Sequence, residues 1–196
     1  VGFIGAGDIS LLHSEGVHSA ENAELTGIWN RTREKAEEKS RLFNCQVFET
    51  VEDLIEAVDV VYVLTNMETH HQYARQAIDA GKHVLVEKPT AVTIDEIEDL
   101  KKAASEKGVQ VAPVHNYIYE PSVTRAKDLI ESGKIGDLVS LYVLYNIHHP
   151  ESVAARYPGV IRQILTHHAY CTLYLVGQPD KISCMKATVN DGTVPQ

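Results

Sequence analysis

Val1-Gly2-Phe3-Ile4-Gly5-Ala6-Gly7-Asp8-Ile9-Ser10 is a short apolar run that breaks at two glycines and passes into the helical pattern of residues 11–19. A strand that runs through G-x-G-x-x-small into a helix is the arrangement that receives the pyrophosphate of a dinucleotide. Gly5 makes the tight turn, and Gly7 lets the backbone approach the pyrophosphate over the helix N-terminus. Asp8 and Ile9 open that helix and complete the candidate cofactor loop. Ser10 stands where a third glycine is usual, and its small side chain still permits close packing of helix on strand.

The same alternation continues for a hundred residues. Strand patterns at 24–29, 46–48, 58–64, 83–86 and 110–114 alternate with helix patterns at 33–43, 51–57, 70–80 and from Thr93 through Lys107. Capping signatures start three of the helices, Thr50-x-x-Asp53, Thr69-x-x-Gln72 and Thr93-x-x-Glu96, while Gly81 and Gly108 follow helix ends. A β-α-β-α series of this kind predicts an α/β fold, a doubly wound parallel sheet over residues 1–114. After His115 the rhythm changes to a helix at 122–132, a long strand at 138–148, a helix at 163–176 and a strand at 181–189. These residues, 115–196, are expected to form a second α+β domain, and so few strands suggest either that a partner covers its sheet or that it is truncated.

Cofactor choice is read at the end of the second strand. A site that prefers NAD usually places an acid there to hold the ribose 2′-hydroxyl. Here the residue is Asn30, followed by Arg31, Thr32 and Arg33, which offers guanidiniums and no carboxylate to a 2′-phosphate. NADP is therefore expected, with NAD possible.

Val84-Leu85-Val86-Glu87-Lys88-Pro89 sets a lysine where ligands bind in such a sheet, though a surface lysine after an ordinary strand would read the same. Pro89 cannot donate to a ladder, so the strand stops at a lysine, and open parallel sheets bind ligands outside the carboxyl ends of their strands. An X-Pro bond is also where a cis peptide is cheapest.

Composition narrows the function classes. With 18 basic and 27 acidic residues the net charge is −9, which disfavours nucleic acid and anionic membranes as partners. No apolar run approaches the roughly 20 residues of a spanning helix. Cys45, Cys171 and Cys184 show no C-x-x-C spacing, which suggests a reducing, cytoplasmic setting. The histidine pairs 70–71, 148–149 and 167–168 do not converge on one ion, because neighbouring residues project about 100° apart on a helix and oppositely on a strand. No metal site is expected.

Gly5-Ala6-Gly7, Ala80-Gly81-Lys82-His83-Val84 leading into Glu87-Lys88-Pro89, Gly133-x-x-Gly136, and a histidine in the helix before Gly177 together resemble the Gfo/Idh/MocA oxidoreductases. The resemblance implies a Rossmann domain followed by a domain with an open, largely antiparallel sheet often used in homo-oligomer contacts. It implies hydride transfer between a nicotinamide cofactor and a hydroxyl or keto carbon of a sugar, cyclitol or related diol. The family lysine that contacts the reacting hydroxyl and the nicotinamide ribose is Lys88, and Thr65, Asn66, His71 and Glu87 are expected beside the cofactor. Counting back from Gly177 makes His167 the helix histidine, a candidate general acid/base, with Tyr117 and Gln163 as further substrate contacts. Gln163 replaces a usual aspartate and Ile118 a frequent arginine. Those departures motivate an alternative, a noncatalytic dinucleotide-binding regulator on the same fold.

Overall fold

Phe3 and Ile4 are both fully buried yet belong to different cores, because successive side chains of a strand point to opposite faces. The computed structural model describes residues 1–145 and 164–185. Six parallel strands form one sheet: β1 (Gly2–Ile4), β2 (Gly27–Trp29), β3 (Gln46–Val47), β4 (Val60–Val63), β5 (His83–Val86) and β6 (Val111–Pro113). Their order is β3-β2-β1-β4-β5-β6, so the chain reverses its direction of travel across the sheet between β1 and β4. Phe3 pairs in register with Ile28 and Tyr62, and Val63 with Val86.

Helices cover both faces. Helices α1 (Ile9–Ser19) and α2 (Arg33–Phe43) enclose a core containing Phe3, Val17, Ile28 and Phe43. Helices α3 (Val51–Ala57), α4 (His70–Asp79) and α5 (Ile94–Lys107) enclose one containing Ile4, Leu54, Val61, Val63, Ile78 and Leu100. The α5 cap is the reciprocal box expected from sequence: Glu96 N donates to Thr93 Oγ1 at 3.2 Å and Thr93 N to Glu96 Oε2 at 3.1 Å. Thr50 accepts from Asp53 N at 3.0 Å. The box predicted at Thr69 does not form. Its hydroxyl lies instead 2.8 Å from Thr65 Oγ1 and 3.0 Å from Asn66 O, at the end of the 3₁₀ turn Met67–Thr69 that precedes α4.

By packing, the chain divides into two units, Val1–Val114 and His115–Gln196. The second holds a 3₁₀ turn (Asn116–Tyr119), α6 (Pro121–Glu131) and α7 (Thr166–Val176), with Gly133, Gly136 and Gly177 at positive φ where the chain turns. Two strand expectations fail over the described residues: neither 138–145 nor 181–185 is a strand. A strand exists only where a neighbour takes its backbone hydrogen bonds, and none of the described residues does so. The remainders, 146–148 and 186–189, lie outside the described residues.

Candidate active site

The two glycines of the first turn have different work. Gly5 has φ +117°, and a Cβ there would stand 2.8 Å from Leu64 C and O, so it is required by the fold. A Cβ on Gly7 would meet no protein atom within 4 Å. Gly7 borders a cleft of about 230 Å³ together with Gly5, Ala6, Asn30, Arg31, Lys35, Thr65 and Asn66. The space is open on the ligand side, as a pyrophosphate cradle requires. Ser10 is fully buried and donates Oγ–H to Gly7 O at 2.6 Å, which ties α1 to the loop. Asp8 and Ile9 are exposed and lie outside the cleft lining. Asp8 makes no side-chain cap.

Asn30 lines the cleft but spends its amide on the protein: Oδ1 accepts from Ala6 N at 3.1 Å and Nδ2 donates to Thr32 O at 2.8 Å. It therefore staples the glycine loop to the end of β2. Arg33 departs from expectation. Its guanidinium is held by Glu37, at 2.8 Å, and by Glu49, and it does not line the cleft. Lys35, which sequence reasoning passed over, does line it with Arg31. Part of the signal was present, since Arg33 and Glu37 are an i,i+4 pair on α2 that turns Arg33 aside.

Lys88 follows β5, and the Lys88–Pro89 peptide is cis. Glu87 is buried, and both its oxygens are engaged by protein: His13 Nε2 donates to Oε1 at 2.9 Å and Lys88 N to Oε2 at 2.9 Å. Glu87 thus makes structural contacts within the protein through both oxygens. Burial pushes the Glu87 carboxyl upward, but the His13 hydrogen bond and the nearby charges outweigh it and hold the group below its usual range. Burial lowers the Lys88 ammonium from its usual range, opposed by the Glu87 charge.

The adjacent histidines of α4 take opposite paths. His70 lies on the stripe of Ala74, Ala77 and Ile78 and is 1% exposed. Its Nδ1 is 2.8 Å from Pro89 O and its Nε2 2.9 Å from Thr65 O, so it links the end of β4 to the turn carrying Lys88. His71 points to α5, where Nε2 donates to Asp99 Oδ2 at 2.8 Å beside Arg75. It lies outside the cleft lining, because a register of 100° per residue gives the inward place to His70.

In the second unit, the His167 ring stacks on Tyr117 with centroids 4.3 Å apart, and Nδ1 lies 2.6 Å from the Tyr170 hydroxyl. Both His167 and Tyr170 are buried. Burial, then the nearby Tyr145 hydroxyl, pushes the Tyr117 phenol upward. Ile118 is half-buried, and Gln163 lies outside the described residues. No helix among the described residues is long and apolar enough to cross a membrane.

Residues 1–115 match the family model described as "Oxidoreductase family, NAD-binding Rossmann fold", and residues 123–195 match the Gfo/Idh/MocA C-terminal domain. The chain belongs to the Gfo/Idh/MocA family. It is 34% identical to glucose-6-phosphate 3-dehydrogenase of Bacillus subtilis over 143 residues, 73% of this chain and 41% of that protein. It is 33% identical to the NADP-dependent scyllo-inositol 2-dehydrogenase of the same organism, over 76% of this chain and 44% of that protein. A solved B. subtilis oxidoreductase, yvaA, superposes with TM-score 0.80 at 31% identity, covering 91% of this chain and 52% of its own. This Gfo/Idh/MocA chain thus spans about half the length of the relatives it matches.

Proposed function

We propose that this chain carries the cofactor site of an oxidoreductase that moves hydride between NADP(H) and a hydroxyl or keto carbon of a sugar, cyclitol or related diol. The observation that carries the reading is the cleft beside Gly7, which holds Arg31 and Lys35 and has no carboxylate among its described lining residues. The Gly7 backbone and the α1 N-terminus would hold the pyrophosphate. Arg31 and Lys35 would take the 2′-phosphate, through charge-assisted bonds worth on the order of 1.5–3 kcal/mol each before solvent screening. The nicotinamide supplies the hydride chemistry when bound.

Lys88 is assigned the polarisation of the substrate oxygen and His167 the exchange of its proton. The tertiary amide at Pro89, the His70 link to its carbonyl and the Glu87 bond to Lys88 N fix the backbone that carries the ammonium. The names of the relatives support the substrate class: one dehydrogenates a sugar phosphate and another an inositol. The test is turnover of NADP with a panel of sugars, sugar phosphates and inositols. Steady reduction with at least one of them is expected, and saturable NADP binding with no turnover across the panel would contradict the reading.

A further inference from the structure

We propose that His13 is a positioning residue for Lys88, acting from α1 through the Glu87 carboxylate, which it holds ionised and in place beside the lysine; only the catalytic consequence rests on the oxidoreductase reading above. One carboxylate here joins two elements. His13 Nε2 reaches Oε1 at 2.9 Å from the second turn of α1, and the Lys88 peptide N–H reaches Oε2 at 2.9 Å from just past β5. An ionised carboxylate can only accept, so the imidazole is the donor in its pair. The side chains of His13 and Glu87 are 13% and 10% exposed, and a carboxylate so buried stays ionised only while donors replace the water it has lost. Burial pushes the Glu87 carboxyl up, and the His13 hydrogen bond is the foremost influence opposing it, ahead of Lys88.

Aromatic residues of the sheet fix the imidazole. The His13 ring meets Tyr62 edge-on at 5.6 Å and 80° and Phe3 at 6.4 Å and 78°, and those two rings stack on each other at 5.4 Å and 17°. Phe3 of β1 and Tyr62 of β4 are register partners, so the imidazole rests on a floor that the sheet itself builds. For packing alone an apolar side chain would serve there; what histidine adds is the donor aimed at Oε1. Among the described residues, the titratable groups facing this pair are Lys88, from the same turn as Glu87, and Tyr62, from β4. Burial pushes the Tyr62 phenol upward, so it stays neutral near pH 7. Burial lowers the Lys88 ammonium and the Glu87 charge raises it. Without His13 the Glu87 carboxyl would take a proton more readily, and Lys88 would lose the charge that supports its own.

The experiment is the pH dependence of Lys88 acetylation by acetic anhydride in the full chain, read by mass spectrometry of the peptide that carries it. The wild type should titrate below the ordinary lysine range. His13→Leu should move the midpoint further down, so that Lys88 labels about three- to tenfold faster near neutral pH. A merely structural loss would loosen the turn and return Lys88 upward, toward an exposed amine. His13→Gln, whose amide N–H can take the place of Nε2, should restore most of the wild-type midpoint, and in a Glu87→Gln background His13→Leu should add no further shift. If His13→Leu fails to fold, His13→Asn, whose amide stops short of the carboxylate, takes its place. No shift, an upward return, an equal shift in the Glu87→Gln background, or a His13→Gln shift as large as that of His13→Leu would overturn the inference. Where the wild type turns over a sugar or inositol, the alkaline limb of kcat/KM should move down with the labelling midpoint while the Kd for NADP stays unchanged, and a limb that does not move would overturn the positioning role. A Lys88 titration that responds in a wild type without turnover would uphold the link through Glu87 and sink the oxidoreductase reading instead.

Discussion

Strand-like sequence meets different fates in the two units. Phe3, Ile4, Val61, Val63 and Val86 are fully buried in the first, whereas Val139, Tyr142 and Leu144 of the second are 94%, 90% and 88% exposed. Both segments carry comparable apolar residues. In the first unit each strand finds its ladder partners among residues 1–114, and helices seal both faces. For residues 138–145 no described neighbour closes the ladder, and the same apolar pattern leaves the backbone irregular. Burial is thus a property of the partners available to a segment, and the first unit contains all of its own. The cleft proposed to hold the cofactor lies in that sealed unit, and its chemistry should respond to mutation accordingly.

The largest effect is expected at Lys88 of the first unit, the lysine proposed to polarise the substrate oxygen. Lys88→Ala should lower turnover about a hundredfold or more while leaving NADP affinity nearly unchanged, because the ammonium acts on charge that develops in the transition state. Initial rates together with a cofactor titration check both halves, and near-normal turnover would remove Lys88 from the mechanism.

Packing gives the next contrast. Leu54, fully buried, should cost about 2–5 kcal/mol when replaced by alanine, whereas Val139→Ala should stay within about 0.5 kcal/mol. Urea unfolding followed by the fluorescence of Trp29, the one tryptophan of the chain, reads the first unit for Leu54→Ala; far-ultraviolet circular dichroism reads the whole chain for both. Equal losses from the two variants would break the distinction between sealed segments and those with no ladder partner among the described residues.

A smaller effect follows from the buried carboxylate. The Lys88 ammonium is lowered by burial and raised by Glu87, so Glu87→Gln removes the raising influence and Lys88 should lose its proton at lower pH. The alkaline limb of the kcat/KM profile should then move toward neutrality. For folding, the Glu87 carboxyl is held below its unfolded value. Its contribution to stability is therefore present above that unfolded value and lost as pH falls through the folded one. The acid side of the wild-type stability curve should be flatter in Glu87→Gln, and an unchanged curve would show that the His13 contact carries no stability.

Much of the first unit was legible because its signals are local. Helix caps at Thr50 and Thr93 and the glycine turn need only a few adjacent residues, and they formed where the spacing placed them. Side-chain destinations were less legible, because they depend on what lies across a gap. Arg33 was a candidate phosphate ligand until Glu49, sixteen residues on, claimed its guanidinium. The choice between His70 and His71 turned on a helical register that the stripe of Ala74, Ala77 and Ile78 does encode. Glu87 read as a cofactor contact because the bond from His13, 74 residues away, has no sequence signature. In the second unit the helices formed near their predicted bounds, while the strands depended on partners that residues 138–145 cannot specify.

Cofactor discrimination tests the central claim most directly. Trp29 lines the cleft, so quenching of its fluorescence can report dissociation constants for NADP and NAD on one sample. At low salt NADP should bind at least about tenfold more tightly, a difference of about 1.4 kcal/mol, and the advantage should shrink as ionic strength rises, because Arg31 and Lys35 are exposed. Lys35→Ala and Arg31→Ala should each erode the NADP preference, while Arg33→Ala leaves it intact. Equal affinities for the two cofactors, a preference for NAD, or a loss that follows Arg33 instead of Lys35 would contradict the assignment of this cleft as an NADP site.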